Sequence, residues 1–583
     1  MKLLEIVTQI ILLSLPHAYK AVNGLIDRPR RPAFARSSVL THNSLTFLTA
    51  ALQSRGGAHD ESTTNIAIDD ANDSIAVHSD EMQQLRQQWS SVPAIPSISW
   101  PFDIELAHDE THKEHIQQQK QKPIKAIIIM DGFSPYHGQY LDQAAHHLYG
   151  AAVIHILSDF MTRFMYQVEK ETDHLSSRMP DLDNAQEVEA WKNLIPSNME
   201  VCGIYCESDS GLDDAEKLGV ALGLYPRCHD GVNEARRNKY LTNQMVQDAG
   251  LDTVKQKSCK SLKEAEEFAT TLGLEDGAEN ASTMVVVKPL RGVASDDVHL
   301  CSDMASLRAA FNKIYQSAVF GSATSSKHEN VLVQEFATGT EYAIDVVCKD
   351  GERKVAALWK YDKRAVNDAP FVYFSTQLVA AVGEDVEQAV CEYVFNALDA
   401  LGIRWGLHHV EVIVEKTSTD TIRVRLVEVN CRQHNTDFRP LTNAVVGYNA
   451  LDMTLTAYLG DGSDSQQNKH QYPLETEHLR LKWNTLPTLP STLAYGAIVH
   501  FVSFVEGTIS RIRFDILNEM EELDSVMDME VYPQFLEVGN EIEKTKDIRT
   551  DTGWAHIMND DKIKFQADYQ RLVELMAEMF EVE

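Results

Sequence analysis

A chain of 583 residues and 65.5 kDa has room for about two to four domains. With 44% hydrophobic and 24% charged residues and a mean hydropathy of −0.27, its composition is that of a soluble globular protein, not of a membrane, collagen-like or largely disordered one. The net charge of −33 argues against nucleic acid or an anionic membrane as the main partner, and cysteines at 202, 206, 228, 259, 301, 348, 391 and 431 form neither a dense disulfide framework nor a repeated C-x-x-C pair.

Residues 1–56 are basic in an otherwise acidic chain. They carry Lys2, Lys20, Arg28, Arg30, Arg31, Arg36 and Arg55 against only Glu5 and Asp27. The apolar stretch LLEIVTQIILLSLP is too short and too interrupted to span a bilayer, which takes about 20 apolar residues. An apolar start followed by RPRRPAFARSSVLTHNS has the character of a cleaved leader that directs a protein to an organelle, plastid or mitochondrion; a disordered extension on a cytoplasmic protein is the other reading. Residues 57–120 are polar, without a stable period, and read as linker.

From residue 123, PIKAIIIMDGF is a continuous apolar run that stops at Asp131–Gly132, the pattern of a buried parallel strand. GQYLDQAAHHLYG then has helical spacing, AAVIHIL is a second strand, and VCGIYCESDSGLDDAEKLGVALGL gives a third strand, a loop and a helix. The unit is an open α/β sheet whose ligands gather at strand C-termini, making Glu207 a candidate to meet substrate. A helix through ARRNKYLTNQMVQDAG follows, closed by Gly250. Next come TMVVVKPLRGVASDDVHL, the helix SLRAAFNKIYQS and the strand pair VLVQEFATGTEYAIDVVC. WGLHHVEVIVEK and IRVRLVEVNCRQ form a hairpin about the polar turn TSTDT. The C-terminal stretch mixes strands such as YGAIVHFVSFVEG with a last helix, YQRLVELMAEMFEV.

The chemistry concentrates in that hairpin. Glu428 and Asn430 lie two apart in a strand and so share a face. Pairing centred between residues 419 and 420 sets Glu411 opposite Glu428. Two carboxylates and an amide oxygen on one face suit Mg²⁺, which takes few protein ligands and keeps positions for water and phosphate. Lys288 ends a run of three valines beside PLRGVAS, a loop of small residues able to approach phosphates, and Lys239 precedes it on a helix. Arg432, two residues past Asn430, is expected on the same face, where it holds a carboxylate or a transferred phosphate; a salt bridge to the neighbouring acids is the alternative. His409 shares the face of Glu411 and is either a substrate contact or a structural histidine. Trp359, in LWKYDKRAVNDAPFVYF with Lys360, Tyr361, Lys363 and Arg364, is either a substrate-pocket aromatic or a core residue.

Taken in order, lysine, lysine with a small-residue loop, the segment QEFATGTEY, acid, acid-x-Asn, the chain resembles the ATP-grasp superfamily. The resemblance covers residues 123–583. ARRNKY, HHVEV and VEVNCR make it similar to the carboxylate–amine ligases of the L-amino-acid ligase, dipeptide-forming type. It implies α/β and α+β architecture: an ATP-grasp fold with an N-terminal Rossmann-like domain, a small lid subdomain and a C-terminal lobe. The expected domains are 121–232 (pre-ATP-grasp), 233–345 (lysines and lid), 346–472 (catalytic, metal-binding) and 473–583 (C-terminal). It implies ATP contacts from Lys239, Lys288, Arg291, Gly292, Ser295, Gln334, Glu335, Phe336, Ala337 and Glu341, the last to the ribose. Glu411, Glu428 and Asn430 would hold Mg²⁺, with Mn²⁺ the open alternative, while Arg432 and Lys288 act in catalysis. The implied reaction activates a carboxylate as an acylphosphate and joins it to an amine, releasing ADP and phosphate. An ATP-grasp carboxylase and a non-catalytic nucleotide-binding regulator are the competing readings. The expected partners are small-molecule substrates, with no nucleic acid and no membrane; many related ligases dimerise, so a homodimer stays open. Two positions depart from the family pattern, Ala294 and Asn435, where relatives often carry glycine.

Overall fold

The first sheet is built from β1 (Ser97–Ser99), β2 (Ile124–Met130), β3 (Ala152–Ile156) and β4 (Met199–Cys206), in the order β1-β3-β2-β4. β2 runs parallel to both β3 and β4, and β1 is an antiparallel edge. The apolar runs predicted as buried strands are buried: Ala126 to Met130 have no exposed surface. Helices α1 (Gly138–Ala144), α2 (Asp159–Val168) and α3 (Ala185–Lys192) connect the strands, and α4 (Leu212–Ala221) follows β4. β1 falls in the stretch expected to be linker; a strand of three residues gives no periodic signal. In this computed structural model the described residues are 97–99 and 123–583, apart from 133–136, 169–177, 225–233, 276–282, 293–296, 320–325, 384, 417–420, 435–436 and 462–480. The leader, most of the linker, Cys228, Ala294, Ser295 and Asn435 thus lie outside the described residues.

Asp131 ends β2 with φ of +57°, a backbone position that Asp and Asn tolerate. Its carboxylate accepts hydrogen bonds from the Ser158 amide at 2.8 Å and from the Ser208 hydroxyl. Burial nevertheless raises its pKa to about 6, the two bonds opposing the shift. An acid whose pKa is higher folded than unfolded favours the fold fully below about pH 4, and loses that contribution as pH rises through about 6. Asp131→Asn is therefore expected to stabilise the protein at pH 7 by about 3 kcal/mol and to leave it unchanged near pH 4. Thermal midpoints of variant and wild type across pH 4–8 check this; a constant gap would contradict it.

A second unit begins with α5 (Lys239–Asp248), whose start is fixed by Asn238, its side chain accepting from the amides of Tyr240 and Leu241. Gly250, with φ of +87°, ends it as predicted. β5 (Gln256–Cys259), α6 (Leu262–Thr271), β6 (Val285–Pro289), β7 (His299–Cys301), α7 (Met304–Ile314) and β8 (Val331–Glu335) form an antiparallel sheet, β5-β8-β6-β7, with its own apolar core.

The third sheet has eight antiparallel strands. It takes β9 (Thr340–Lys349), β10 (Glu352–Val366), β11 (Ala369–Leu378), β12 (Gly406–Lys416) and β13 (Ile422–Asn430), with α8 (Asp385–Ala400) before β12 and α9 (Arg439–Val445) and α10 (Ala450–Leu459) after β13. β14 (Tyr495–His500), β15 (Gly507–Ile512), α11 (Phe514–Glu522), β16 (Val526–Val531), β17 (Glu541–Ile542), β18 (Gly553–Asn559), α12 (Lys562–Leu575) and β19 (Phe580–Val582) follow. The order is β13-β12-β9-β10-β11-β14-β18-β16, and β17-β15-β19 make a small separate sheet. Two expected boundaries therefore cut a single element of architecture. The division after 345 falls inside β9, and strands assigned to a C-terminal subdomain complete the sheet that begins at β9. The last helix also starts and stops earlier than predicted, its final residues pairing as β19 with β15. Contacts group residues 95–471 and 476–583 into one unit, to which every described residue belongs. The seven described cysteines are buried. Among the described residues no helix is long and apolar enough to cross a membrane.

Candidate active site

Strand register assembles the site on one face of the large sheet. Glu411 pairs with Glu428 as predicted, and Glu411 also faces Ala343, which faces Trp359 on β10. The adjacent row on the same face is Asn430, His409, Asp345 and Ala357. A bulge follows at once, since Val412 pairs with Leu426 and leaves Val427 as the extra residue.

Glu428 receives Lys239 Nζ on one oxygen at 2.8 Å and Asn430 Nδ2 on the other at 2.9 Å. Burial would raise its pKa, but Lys239, Lys288 and Asn430 outweigh that and hold it at about 2, so the carboxylate is charged. With its amide nitrogen engaged, Asn430 has its oxygen left to offer. This donor set, two carboxylates and an amide oxygen, fits a hard divalent cation. Among the described residues no three His, Cys, Asp or Glu side chains form a metal-holding group; an ion held by this set would complete its shell with water and substrate oxygens.

The two predicted lysines meet here from different elements. Lys239 opens α5 and also donates to the Gly292 carbonyl at 3.1 Å, at the start of the small-residue loop. Lys288, on β6, is 6% exposed. Burial and the charge of Lys239 lower its pKa to about 8 against the pull of Glu428, Glu411 and Glu341. Arg291 pairs with Asp213 at 3.2 Å and Glu234 at 3.5 Å.

The segment from Gln334 to Ala337, expected to contact ATP, leaves β8. The Gln334 side chain donates to Gln256 at 3.0 Å, Glu335 pairs with Arg425 at 3.4 Å, Phe336 lies 5.9 Å from the Phe371 ring, and Ala337 is buried. Gly339 follows with φ of +142°; a Cβ there would sit 2.3 Å from the Val414 carbonyl oxygen, so only glycine fits. Glu341, expected to meet the ribose, already holds Lys363 at 2.7 Å, and that ammonium also lies 4.2 Å over the Tyr373 ring.

Arg432 departs from the expected alternation because β13 stops at Asn430. Its guanidinium turns toward the first sheet, where it pairs with Asp209 at 2.6 Å and donates to the Gln433 carbonyl at 2.8 Å, leaving a buried Nε with no partner. Beyond it lies a cleft of about 390 Å³ lined by His137, Asp345, Gln433, His434, Asp437 and Arg439. Glu207 borders this region: Oε1 is 3.2 Å from His137 Nδ1, while Oε2 is buried without a hydrogen-bond partner. A second cleft, about 340 Å³, runs past Lys239, Gly292, Glu428 and Asn430 and is flanked by Asp209 and Arg237.

Of the two readings of Trp359 the structure fits the core one: it has no exposed surface and packs 4.4 Å from the Phe438 ring. His409 is 3% exposed and lies between Asp345 and Glu411; burial lowers its pKa, yet the two carboxylates raise it to about 9. Asp345 and Gln433 were not anticipated, whereas His137 and Asp209 lie just past the C-termini of β2 and β4, where the sequence places ligands. The available signal for Asp345 was parity, since it shares the strand face of Glu341.

Residues 281–437 match the family model described as an ATP-grasp domain. The chain is 24% identical over 348 residues to dapdiamide A synthase of Enterobacter agglomerans, covering 60% of this chain and 76% of that protein. A stretch of 246 residues is 24% identical to multifunctional protein ura1 of Schizosaccharomyces pombe, covering 41% of this chain and 9% of that protein. Among solved structures, the L-amino acid ligase from Bacillus licheniformis superposes with a TM-score of 0.52 at 18% identity, covering 79% of this chain and 100% of that one. Carboxyaminoimidazole ribonucleotide synthase from Aspergillus clavatus, complexed with ATP, gives a TM-score of 0.50 at 12% identity, covering 79% and 100%. Both share the fold. On these grounds residues 281–437 carry an ATP-grasp domain, in a chain similar in sequence to dapdiamide A synthase and in fold to the L-amino acid ligase.

Proposed function

We propose that the protein uses ATP and Mg²⁺ to activate a carboxylate as an acylphosphate and joins it to an amine, an amino acid or small peptide, with release of ADP and phosphate. The observation that carries this reading is the convergence of Lys239, Lys288, Glu411, Glu428 and Asn430 on one site, with Arg432 at its edge and a cleft behind. Attack of a carboxylate on a phosphate brings anion to anion, so cationic groups must neutralise the phosphates and hold the reactants in line. Lys239 and Lys288 supply fixed charge from two different elements. Bound by Glu411, Glu428 and Asn430, Mg²⁺ would supply further neutralisation of the phosphates. Arg432, with its unpaired Nε, is set to hold the carboxyl group as charge develops on it. The free oxygen of Glu207 suits an ammonium group and supports an amine partner on the side of the first sheet.

The test is phosphate release from ATP and Mg²⁺ by the full chain, screened against pairs of amino acids and small carboxylates, with product masses recorded. Release that requires both partners, with a product lighter by one water than their sum, is the expected result. Release driven by bicarbonate and a single acceptor would replace the reading with a carboxylase.

A further inference from the structure

A buried chain of polar groups runs from the core of the large sheet to the carboxylate of Glu411. It starts at Trp359, whose indole Nε1 donates to Asp345 Oδ2 at 2.7 Å. The other oxygen, Oδ1, lies 2.8 Å from His409 Nδ1. The opposite ring nitrogen, Nε2, lies 3.4 Å from Glu411 Oε1. Trp359, Asp345 and His409 are each at most 4% exposed. The strand rows explain why the chain can form. Ala343 stands between Glu411 and Trp359 in their row, so no side chain of size fills the space, and Asp345 and His409 reach across it from the neighbouring row. The free face of His409 is closed by the His434 ring at 4.2 Å, itself held by the Tyr361 hydroxyl at 3.3 Å. Each oxygen of Asp345 is thus committed to a different rigid ring, which leaves the carboxylate one orientation, the imidazole one plane and Glu411 one favoured rotamer.

We propose that Asp345 is a positioning residue: anchored by Trp359, it fixes His409, and through His409 it sets Glu411 for the divalent cation before nucleotide enters. The proposal rests on the reading that Glu411 is a cation ligand. It assigns Trp359 a part in the site through Asp345, and gives the buried His409 a task that needs no contact with substrate. Groups that orient a metal ligand typically change metal affinity or activity about 10- to 100-fold when removed.

The test uses Mn²⁺ as the probe, its binding to the full chain in the presence of ADP followed by electron paramagnetic resonance, alongside ADP binding without metal. Asp345→Asn is expected to weaken Mn²⁺ binding about 10- to 100-fold with metal-free ADP binding unchanged, and Trp359→Phe, which removes only the anchor, is expected to shift it in the same direction by less. A fall in thermal stability with Mn²⁺ affinity intact in both variants would overturn the proposal and leave the chain a packing device. Trp359→Phe carries the decision alone should Asp345→Asn fail to fold. Glu411→Gln separates the two levels: if it binds Mn²⁺ as well as wild type, the cation-site reading itself fails, whereas loss in Glu411→Gln with none in Asp345→Asn and Trp359→Phe rejects only the positioning role.

Discussion

Glu428→Gln is expected to reduce ATP turnover by about 10³-fold, equivalent to about 4 kcal/mol of transition-state stabilisation, in a protein that still folds. Glutamine keeps the size and one acceptor oxygen but loses the charge. In the wild type that charge is secured by Lys239 at 2.8 Å and by the Asn430 amide at 2.9 Å, with the pKa held at about 2. The carboxylate is therefore ionised throughout the physiological range, and the substitution acts by removing a charge that is present, not by shifting a titration. The fold should survive because β13 is held by its pairing with β12 along its whole length and by Val424, Leu426 and Val429 packed beneath it. Lys239 is left without its carboxylate but is 15% exposed and retains the Gly292 carbonyl. Steady-state phosphate release at saturating Mg²⁺, with circular dichroism as the control for folding, checks the result. Wild-type turnover in this variant would remove Glu428 from the cation site.

That Glu428 could be paired with Glu411 from sequence alone reflects how local a hairpin is. A short polar turn and strict alternation leave one register that puts both acids and Asn430 on a common face. The bulge at Val427 was not legible, because a single extra residue leaves no mark on an apolar run. The order of Lys239, Lys288, Glu411, Glu428 and Asn430 was equally readable, since it needs only chain sequence. What escaped depends on partners far apart in the chain. Asp345 looks like an isolated acid in an apolar strand until β9 pairs with β12 and brings His409 beside it. β14 could not be assigned to the catalytic sheet because its partner β11 lies more than a hundred residues earlier. The cationic neighbours of Trp359 left a substrate-pocket reading open beside the core one, yet Lys363 turns to Glu341 and Arg364 to Asp362, so those charges are already matched within the protein.

Arg432→Lys is expected to lower kcat by about 10²- to 10³-fold with little change in KM for ATP, since lysine keeps the charge but not the planar fork. The outcome depends on how the donors of the guanidinium are engaged. Nη2 goes to Asp209 and Nη1 to the Gln433 carbonyl, two contacts that orient the group from the first sheet and from its own loop, while Nε stays buried and without a partner. A buried donor left unsatisfied costs about 1–3 kcal/mol, which an oxygen of substrate or transferring phosphate would recover when it binds. A lysine at this place would satisfy Asp209 or the reacting oxygen, not both. Arg432→Ala should do more, because it also strands the half-buried Asp209 carboxylate, and the loss of a partner costs up to about 3–5 kcal/mol of stability where the pair is fully buried. Asp209→Asn separates these effects. If Arg432 serves only as one half of a salt bridge between sheets, Asp209→Asn will match Arg432→Ala in activity and Arg432→Lys will be nearly silent. If Arg432 acts on the reacting group, Arg432→Lys will lose turnover while its thermal midpoint stays close to wild type, and Asp209→Asn will lose less, because the guanidinium keeps the Gln433 contact and its free Nε.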